Sequence, residues 1–240
     1  ENTNIPGADV LPKGKLTISC GVAAYPVSAK NKKELIRAAD QALYKAKSAS
    51  KNRIELYFNI LDEICVTKTE QSLLSSIKTL ISIINAKDRY TYGHSERVAL
   101  YARQLAQKIG LDEDALKRLS LAAFLHDIGK IEIQRDVLNK TSPLTSEERN
   151  ILCNHPVWGA EIILPIKDLK DISTIILYHH ENYDGSGYPH HIKGAQIPLE
   201  ARIIRIVDSF DAMTTNRPYK TALLVPEALE ELDQFAGSYF

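Results

Sequence analysis

From residue 88 onwards, apolar side chains recur at the three- and four-residue spacing that places them on one face of a helix. This pattern predicts helices over four segments, 96–109, 112–126, 172–180 and 199–213. The sequence Thr145-Ser-Glu-Glu148 predicts a further helix start with a capping box. Strand patterns are scarce in this region, so we predict a mainly α protein whose principal domain is all-helical.

The N-terminal part follows a different pattern. Residues 16–23 alternate, with Leu16, Ile18, Cys20 and Val22 on one face, which predicts a half-buried strand. Residues 32–48 then carry apolar side chains at helical spacing. Because one strand and one helix cannot bury a core alone, we interpret residues 1–54 as a small α/β fragment of a larger domain.

Residues 55–87 connect these two regions and carry two apolar stripes, which predict one long helix or two. No strict heptad persists, so a long coiled coil is weakly supported. We favour packing of this helix against the next domain, with a homodimer contact as the alternative. The predicted organisation is therefore a fragment over 1–54, a helical linker over 55–74 and a principal domain over 75–240.

Composition indicates which kinds of partner and which cellular compartment to expect. Lys plus Arg equals Asp plus Glu at 30 each, which argues against a basic surface for polymeric nucleic acid. No apolar run approaches the ~18–20 residues of a membrane span. Three widely spaced cysteines without a C-x-x-C motif are typical of a reducing compartment, so we expect a cytoplasmic protein. No initiator Met begins the sequence, which leaves room for an upstream sensor, cyclase or membrane region.

Histidines and aspartates recur along the helical region in a set that could bind metal ions. The set comprises His94, His126, Asp127, His155, His179, His180 and Asp208. Imidazole and carboxylate ligands suit Fe, Mn or Zn, and two such ions a few Å apart can hydrolyse a phosphate ester. A lone histidine is more often structural, and we expect His190 and His191 to lie in a solvated loop.

Two motifs resemble those of a known family. The string His126-Asp-Ile-Gly-Lys130 resembles the H-D-x-G-K core of HD-domain phosphohydrolases. The string His179-His-Glu-Asn-Tyr-Asp-Gly-Ser-Gly-Tyr-Pro189 resembles the H-H-E-x-x-D-G-x-G-Y-P motif of the HD-GYP family, bacterial phosphodiesterases that degrade cyclic di-GMP. Three further strings, over 88–98, 155–159 and 208–220, are also similar, so the resemblance covers about residues 75–240.

The N-terminal fragment resembles a second family. Residues 16–23 and 39–47 are similar to the C-terminal end of GGDEF diguanylate cyclase domains. The GGDEF signature itself is absent from the sequence, so no cyclase activity is assigned to this chain.

The HD-GYP resemblance implies an enzyme that hydrolyses cyclic di-GMP to pGpG or GMP in second-messenger signalling. It implies two divalent transition-metal ions, Fe or Mn, with hydroxide between them as the nucleophile. One ion would be bound by His94, His126, Asp127 and Asp208. Asp127 would bridge to a second ion bound by His155, His179 and His180.

The same resemblance assigns catalysis and substrate binding. The catalytic residues would be Asp127 and Lys130. The substrate-binding residues would be Lys130, Gly187, Tyr188, Pro189, Arg217 and Lys220. We also expect Asp184 to hold a histidine ring. Tyr90 stands where members with a third ion have a Glu, so we predict two ions.

Two alternatives stay open at this point. The first is an HD-type phosphohydrolase that acts on another nucleotide or cyclic dinucleotide, such as cyclic GMP-AMP. The second is a non-catalytic module that binds cyclic dinucleotides in signalling. The family's domain usually continues beyond a position such as Phe240, so we also expect a C-terminally truncated domain.

Overall fold

The computed structural model describes residues 17–25, 29, 31–49, 52, 54–57, 77, 87, 93–215 and 221–240. The chain divides into two compact units, Glu1–Asn59 and Ile60–Phe240. The first contains strands and a helix, and the described part of the second is helical. The prediction of a mainly α chain preceded by a small α/β segment is confirmed.

The first unit contains strand β1 (Cys20–Val22), helix α1 (Lys32–Ala49) and strand β2 (Ile54–Leu56). The two strands pair in parallel, with Cys20 opposite Ile54. A Cβ atom on Gly21 would lie 2.2 Å from the carbonyl oxygen of Ala39, so the backbone of α1 lies directly on this side of β1. Only glycine permits such an approach.

Two predictions for this region are wrong. The strand face predicted to be buried is exposed, by 70% at Ile18 and 42% at Val22, because α1 packs on the Gly21 side instead. The helix predicted from residue 55 does not begin there, since Ile54–Leu56 is extended and pairs with β1. The rest of residues 55–87, with the homodimer alternative, lies outside the described residues except at Tyr57, which is not helical, and at Ile77 and Lys87, which are.

Over residues 93–215 and 221–240, the second unit is built from helices of 4 to 16 residues. They are α2 (His94–Lys108), α3 (Glu113–Leu125), α4 (Arg135–Leu138), α5 (Ser146–Cys153), α6 (His155–Ile163), α7 (Ser173–Tyr178), α8 (Leu199–Thr214) and α9 (Val225–Gln234). Short 3₁₀ helices lie at Ile128–Glu132, Lys170–Ile172 and Gly194–Gln196. In the described part of the chain, no helix has both the length and the apolar character needed to cross a membrane.

The ends of these helices follow from local side-chain chemistry. Helix α3 begins where the Asp112 side chain accepts a hydrogen bond from the Ala115 N–H at 2.8 Å. Helix α5 begins with the predicted capping box: Thr145 Oγ1 accepts from the Glu148 N–H at 3.2 Å, and the Glu148 carboxylate accepts from the Thr145 N–H at 2.7 Å. Helix α2 ends before Gly110, whose φ of 82° lies in the left-handed region.

The apolar core lies where α2 packs against α3 and α8. Val98 and Ala102 of α2, Leu119 of α3 and Ile204 of α8 are all 0% exposed. The helical spacing of apolar residues predicted a buried face at the first three of these positions but not at Ile204. The core thereby fixes the helix ends that carry the histidines and aspartates.

Two glycines bring α6 against the 3₁₀ helix that follows α3. A Cβ atom on Gly129 would lie 2.0 Å from the carbonyl oxygen of His155 and 2.6 Å from the amide nitrogen of Gly159. A Cβ atom on Gly159 would lie 3.0 Å from the Ile176 side chain of α7. Three segments that carry predicted ligands therefore approach one another closely, through backbone contact at Gly129 and through the Ile176 side chain at Gly159.

Candidate metal centre

The structure brings all seven predicted metal ligands together, and all but Asp208 lie at or next to helix ends. His94 and His155 are the first residues of α2 and α6, and His126 with Asp127 follows α3 directly. The pair His179 and His180 follows α7, and Asp208 lies in α8. His94, His126, Asp127, His155 and His179 are each at most 5% exposed. Buried imidazoles and carboxylates in such number need partners, because burying a charged or polar group alone is unfavourable.

Six of the seven residues form two groups of ligand atoms, and Asp127 forms a third with one histidine of each, His126 and His179. The first contains His94, His126 and Asp208, and the second contains His155, His179 and His180. In the first group, His94 Nε2 lies 3.1 Å and His126 Nε2 lies 4.0 Å from Asp208 Oδ1. In the second, the Nε2 atoms of His155 and His179 are 3.2 Å apart. Two atoms that each bind one ion at ~2.1 Å are themselves roughly 3–4 Å apart, so these spacings suit ligation.

Asp127 lies between the two groups. Its Oδ2 atom is 3.4 Å from His126 Nε2 and 3.9 Å from His94 Nε2. Its Oδ1 atom is 3.3 Å from His155 Nε2. One carboxylate thus presents one oxygen to each group, which is the arrangement that a ligand bridging two ions requires.

Three of the histidine rings are oriented by the main chain. The Nδ1 atoms of His126, His155 and His179 lie 2.6–2.7 Å from the carbonyl oxygens three residues earlier, at Ala123, Leu152 and Ile176. The last carbonyls of a helix lack helical partners, so they are available to accept these bonds. An Nδ1–H that donates to a carbonyl leaves Nε2 with a free lone pair directed into the cluster.

His126 provides a direct test of whether these residues fit a metal ion. Its Nε2 atom is buried and makes no hydrogen bond within the described residues. A buried polar atom without a partner is rare in folded proteins. A divalent cation at this position would satisfy the lone pair, and the surrounding nitrogen and carboxylate donors suit transition metals.

His94 is oriented by a side chain instead. Its Nδ1 atom lies 2.7 Å from Asp211 Oδ2, and Arg97 donates to both oxygens of Asp211, at 2.6 and 2.8 Å. The sequence analysis missed Asp211 and Arg97. Each lies three residues after a predicted ligand on the same helix, Asp208 and His94, so a one-turn spacing was the available signal.

Burial and nearby charges shift the pKa values of four of these histidines, one upwards and three downwards. Burial opposes protonation of His94, but hydrogen bonds to Asp208 and Asp211 outweigh it and raise its pKa to about 9. Burial lowers the pKa of His155 to about 4 and holds the pKa of His179 and His180 well below the ordinary value. The second group is therefore neutral at pH 7, which is the form of imidazole that binds metals.

Asp127 is ionised despite its burial. Burial alone would raise its pKa, but the positive charge of Lys130 and the neighbouring His126 hold the pKa well below the ordinary range. Lys130 Nζ donates to Asp127 Oδ2 at 2.7 Å. The carboxylate is therefore available as an anionic ligand at neutral pH.

A cavity of about 600 Å³ opens on this cluster, a volume within the usual range for small-molecule sites. His94, Asp127, His155, His180 and Asp208 form part of its wall. The other lining residues are Lys130, Val137, Leu138, Lys140, Thr141, Ser142, Pro143, Leu144, Leu152, Tyr188, Arg205, Ser209 and Ala212. The sequence analysis did not anticipate the segment 137–144, nor Arg205 and Ser209, because no metal-ligand pattern marks them.

Of the three predicted substrate-binding residues in the loop, one lines the cavity and two do not. Tyr188 lines the cavity, and its ring stacks on His180 with the centroids 4.8 Å apart. Gly187 and Pro189 are not among the described residues that line it. A Cβ atom on Gly187 would lie 2.2 Å from the Asn182 amide nitrogen, so this glycine lets the loop pack against residues 180–182. Pro189 follows a cis peptide bond.

The remaining predicted residues have different outcomes. Asp184 is exposed and accepts a hydrogen bond from the Ser186 N–H, so the prediction that it holds a histidine ring is wrong. Asp211 has that role for His94, because α8 packs against α2. His190 and His191 are exposed, as expected. Arg217, Lys220 and Tyr90 lie outside the described residues.

Two known families match this chain. Residues 78–240 match the HD domain family, and residues 3–53 match the GGDEF diguanylate cyclase family. The chain therefore belongs to the HD domain family, and the predicted GGDEF-like segment is confirmed.

Two curated proteins named as cyclic-dinucleotide phosphodiesterases are similar to this chain. The chain is 37% identical over 177 residues to a cyclic di-GMP phosphodiesterase response regulator of Xanthomonas campestris, covering 73% of this chain and 47% of that protein. It is 36% identical over 152 residues to a 3′3′-cGAMP-specific phosphodiesterase of Vibrio cholerae, covering 63% of this chain and 33% of that protein. The chain thus spans about half the length, or less, of these relatives.

A solved structure supports the fold. A structure of an HDG"Y"P protein from Bdellovibrio bacteriovorus matches with a TM-score of 0.51 at 22% identity, covering 61% of this chain and 47% of that chain. At this identity the likeness concerns the arrangement of helices alone.

Proposed function

We propose that this chain is a metal-dependent phosphodiesterase that hydrolyses cyclic di-GMP to pGpG or GMP. The position of Asp127 carries the proposal, since its two oxygens face two separate groups of ligand atoms on the wall of one cavity. The relatives named cyclic di-GMP phosphodiesterases support the substrate. The segment that matches diguanylate cyclases supports it too, because such domains make the same messenger.

Two divalent transition-metal ions, Fe or Mn, are the cofactors that we propose. His94, His126 and Asp208 would hold one ion, His155, His179 and His180 the other, and Asp127 both. Such a pair supplies Lewis acidity that makes water nucleophilic at neutral pH and stabilises the charge of an in-line displacement.

The chain's own residues would position the substrate and stabilise charge. Lys130 lies on the cavity wall beside Asp127, where its ammonium can neutralise negative charge that builds on the phosphate oxygens. Tyr188 would hold the ring of His180 from one side by stacking on it. Arg217 and Lys220 remain proposed phosphate contacts, on the basis of the motif in which they occur.

Cyclic GMP-AMP is the second candidate substrate. The similarity to the 3′3′-cGAMP-specific phosphodiesterase of V. cholerae favours it, at an identity close to that of the cyclic di-GMP relatives. The two molecules differ in one base and share both phosphodiester bonds. A site that recognises the phosphates can therefore accept either, and base contacts decide the preference.

The test is hydrolysis by protein purified anaerobically and loaded with Fe(II) or Mn(II), with the products separated by chromatography. Cyclic di-GMP and 3′3′-cyclic GMP-AMP are assayed side by side. We expect conversion of cyclic di-GMP that disappears in His126→Ala/Asp127→Ala. The double variant His190→Ala/Asp168→Ala, which removes an exposed histidine and an exposed aspartate, serves as the matched control.

The products and the metal content refine the result. Accumulation of pGpG as the end product supports a centre with two ions. Protein that binds two ions per chain but converts neither cyclic dinucleotide contradicts the proposed function.

A further inference from the structure

Arg205 lies in the cavity one helical turn before the predicted ligand Asp208. Its Nε donates to Asn182 Oδ1 at 3.0 Å, and its Nη1 donates to Ser209 Oγ at 3.1 Å. The guanidinium carbon is 5.6 Å from the centroid of the Phe240 ring. The guanidinium is therefore held in one orientation by neutral groups.

Three other cations near the metal centre, among the described residues, have carboxylate partners. Lys130 pairs with Asp127, Lys140 pairs with Glu148, and Arg97 pairs with Asp211. Arg205, by contrast, forms no ion pair with any residue of the described ranges. A half-buried cation without an anion is unfavourable, so its position is explained if an anion enters the cavity.

The hydrogen bonds of Arg205 leave part of its guanidinium free for such an anion. The group carries five N–H donors, of which Asn182 and Ser209 use one each. Asn182 is itself oriented, because its side-chain nitrogen donates to Ser186 Oγ at 2.9 Å. The remaining donors keep a fixed direction, and a guanidinium fork matches two oxygens of a phosphate.

We propose that Arg205 binds the phosphate of the cyclic dinucleotide that is not cleaved. This assignment rests on the proposed function, in which the scissile phosphate lies at the metal centre. A cyclic dinucleotide carries a second phosphodiester, and Arg205 lies about 4.5 Å along the helix axis from Asp208. The second phosphate would therefore bind a guanidinium that is already oriented. Because this phosphate does not react, the contact is equally strong in the bound substrate and in the transition state.

The test compares Arg205→Gln and Arg205→Lys with the wild-type chain in its metal-loaded form. Arg149→Gln, which alters an exposed arginine of α5 outside the cavity, is the control. We expect Arg205→Gln to raise KM for cyclic di-GMP about 10- to 100-fold, the range for a hydrogen bond to a charged group, with a smaller effect on kcat. Arg205→Lys restores part of the loss, because it keeps the charge but not the fork. Metal content and thermal unfolding check that the variants keep the fold and both ions.

Cyclic di-AMP separates base recognition from phosphate recognition. Its affinity is measured as KM if it is hydrolysed and as an inhibition constant if it is not. If Arg205 contacts a phosphate, Arg205→Gln weakens the binding of cyclic di-GMP and of cyclic di-AMP by similar factors. A loss confined to guanine substrates assigns Arg205 to the base and overturns the proposal, as does an unchanged KM in Arg205→Gln. If the wild-type chain neither hydrolyses nor binds a cyclic dinucleotide, the proposed function fails and this assignment fails with it.

Discussion

The substitution Gly129→Ala tests how the centre is assembled. The added Cβ would meet the His155 carbonyl oxygen at 2.0 Å and the Gly159 amide nitrogen at 2.6 Å, whereas ordinary contact begins at 3.4 Å. Both obstacles are backbone atoms, so no side-chain rotation relieves the clash. The N-terminus of α6 must therefore move by about 1 Å, and His155 moves with it.

The size of the effect follows from that displacement. Overpacking of this kind destabilises a protein by ~1–3 kcal/mol, which corresponds to a fall in Tm of roughly 2–4 °C per kcal/mol for a chain of this size. A shift of ~1 Å in a positioned group can cost about 100-fold in rate. We therefore expect a modest loss of stability with a large loss of binding at the group of His155, His179 and His180.

Metal stoichiometry and thermal unfolding together measure this effect. Gly110→Ala is the matched control: its Cβ would meet nothing within 4 Å, but its φ of 82° also disfavours alanine, by ~1–2 kcal/mol. We expect both variants to lose stability and only Gly129→Ala to lose one of the two ions and most of the activity. Retention of both ions and of full activity in Gly129→Ala would refute the idea that backbone contact positions His155.

Asp211→Asn removes the carboxylate that orients His94, and we expect metal affinity to fall by about 10- to 100-fold; competition with a chelator measures it, and an unchanged affinity contradicts this role. Thr145→Ala removes the N-cap of α5 and should cost ~1 kcal/mol in urea unfolding, while a loss of metal would show that α5 has a larger role. Gly187→Ala places a Cβ 2.2 Å from the Asn182 nitrogen, so we expect a displaced Tyr188 and a higher KM; unchanged kinetics and Tm would argue against that packing.

The helices and the ligand set were predictable because their signals are local. The apolar spacing of α2, α3 and α8 and the capping box at Thr145 depend on neighbouring residues alone. The buried face of β1 was mispredicted because alternation identifies two faces but not the one that another element covers. A single glycine, Gly21, marks the side on which α1 packs.

The partners of the ligands were less accessible to sequence reasoning. Asp184 and Asp211 both lie in strings that resemble HD-GYP motifs. Asp184 is nearer in sequence to the pair His179 and His180, which favoured it wrongly as the residue that holds a histidine ring. The contact between Asp211 and His94 joins residues 117 positions apart and exists because α8 packs against α2. Arg205 was not predicted from the sequence. Its proposed role depends on the absence of an anionic partner among the described residues, which only the fold reveals.

The two modes of holding histidine rings differ in how they constrain the sequence over evolutionary time. His126, His155 and His179 depend on carbonyl groups, which every amino acid provides, so residues 123, 152 and 176 can drift as far as packing allows without freeing a ring. His94 depends on a particular side chain, Asp211, which in turn depends on Arg97. These three should be inherited together, so His94 tolerates fewer changes in its neighbours than the three rings that the main chain holds.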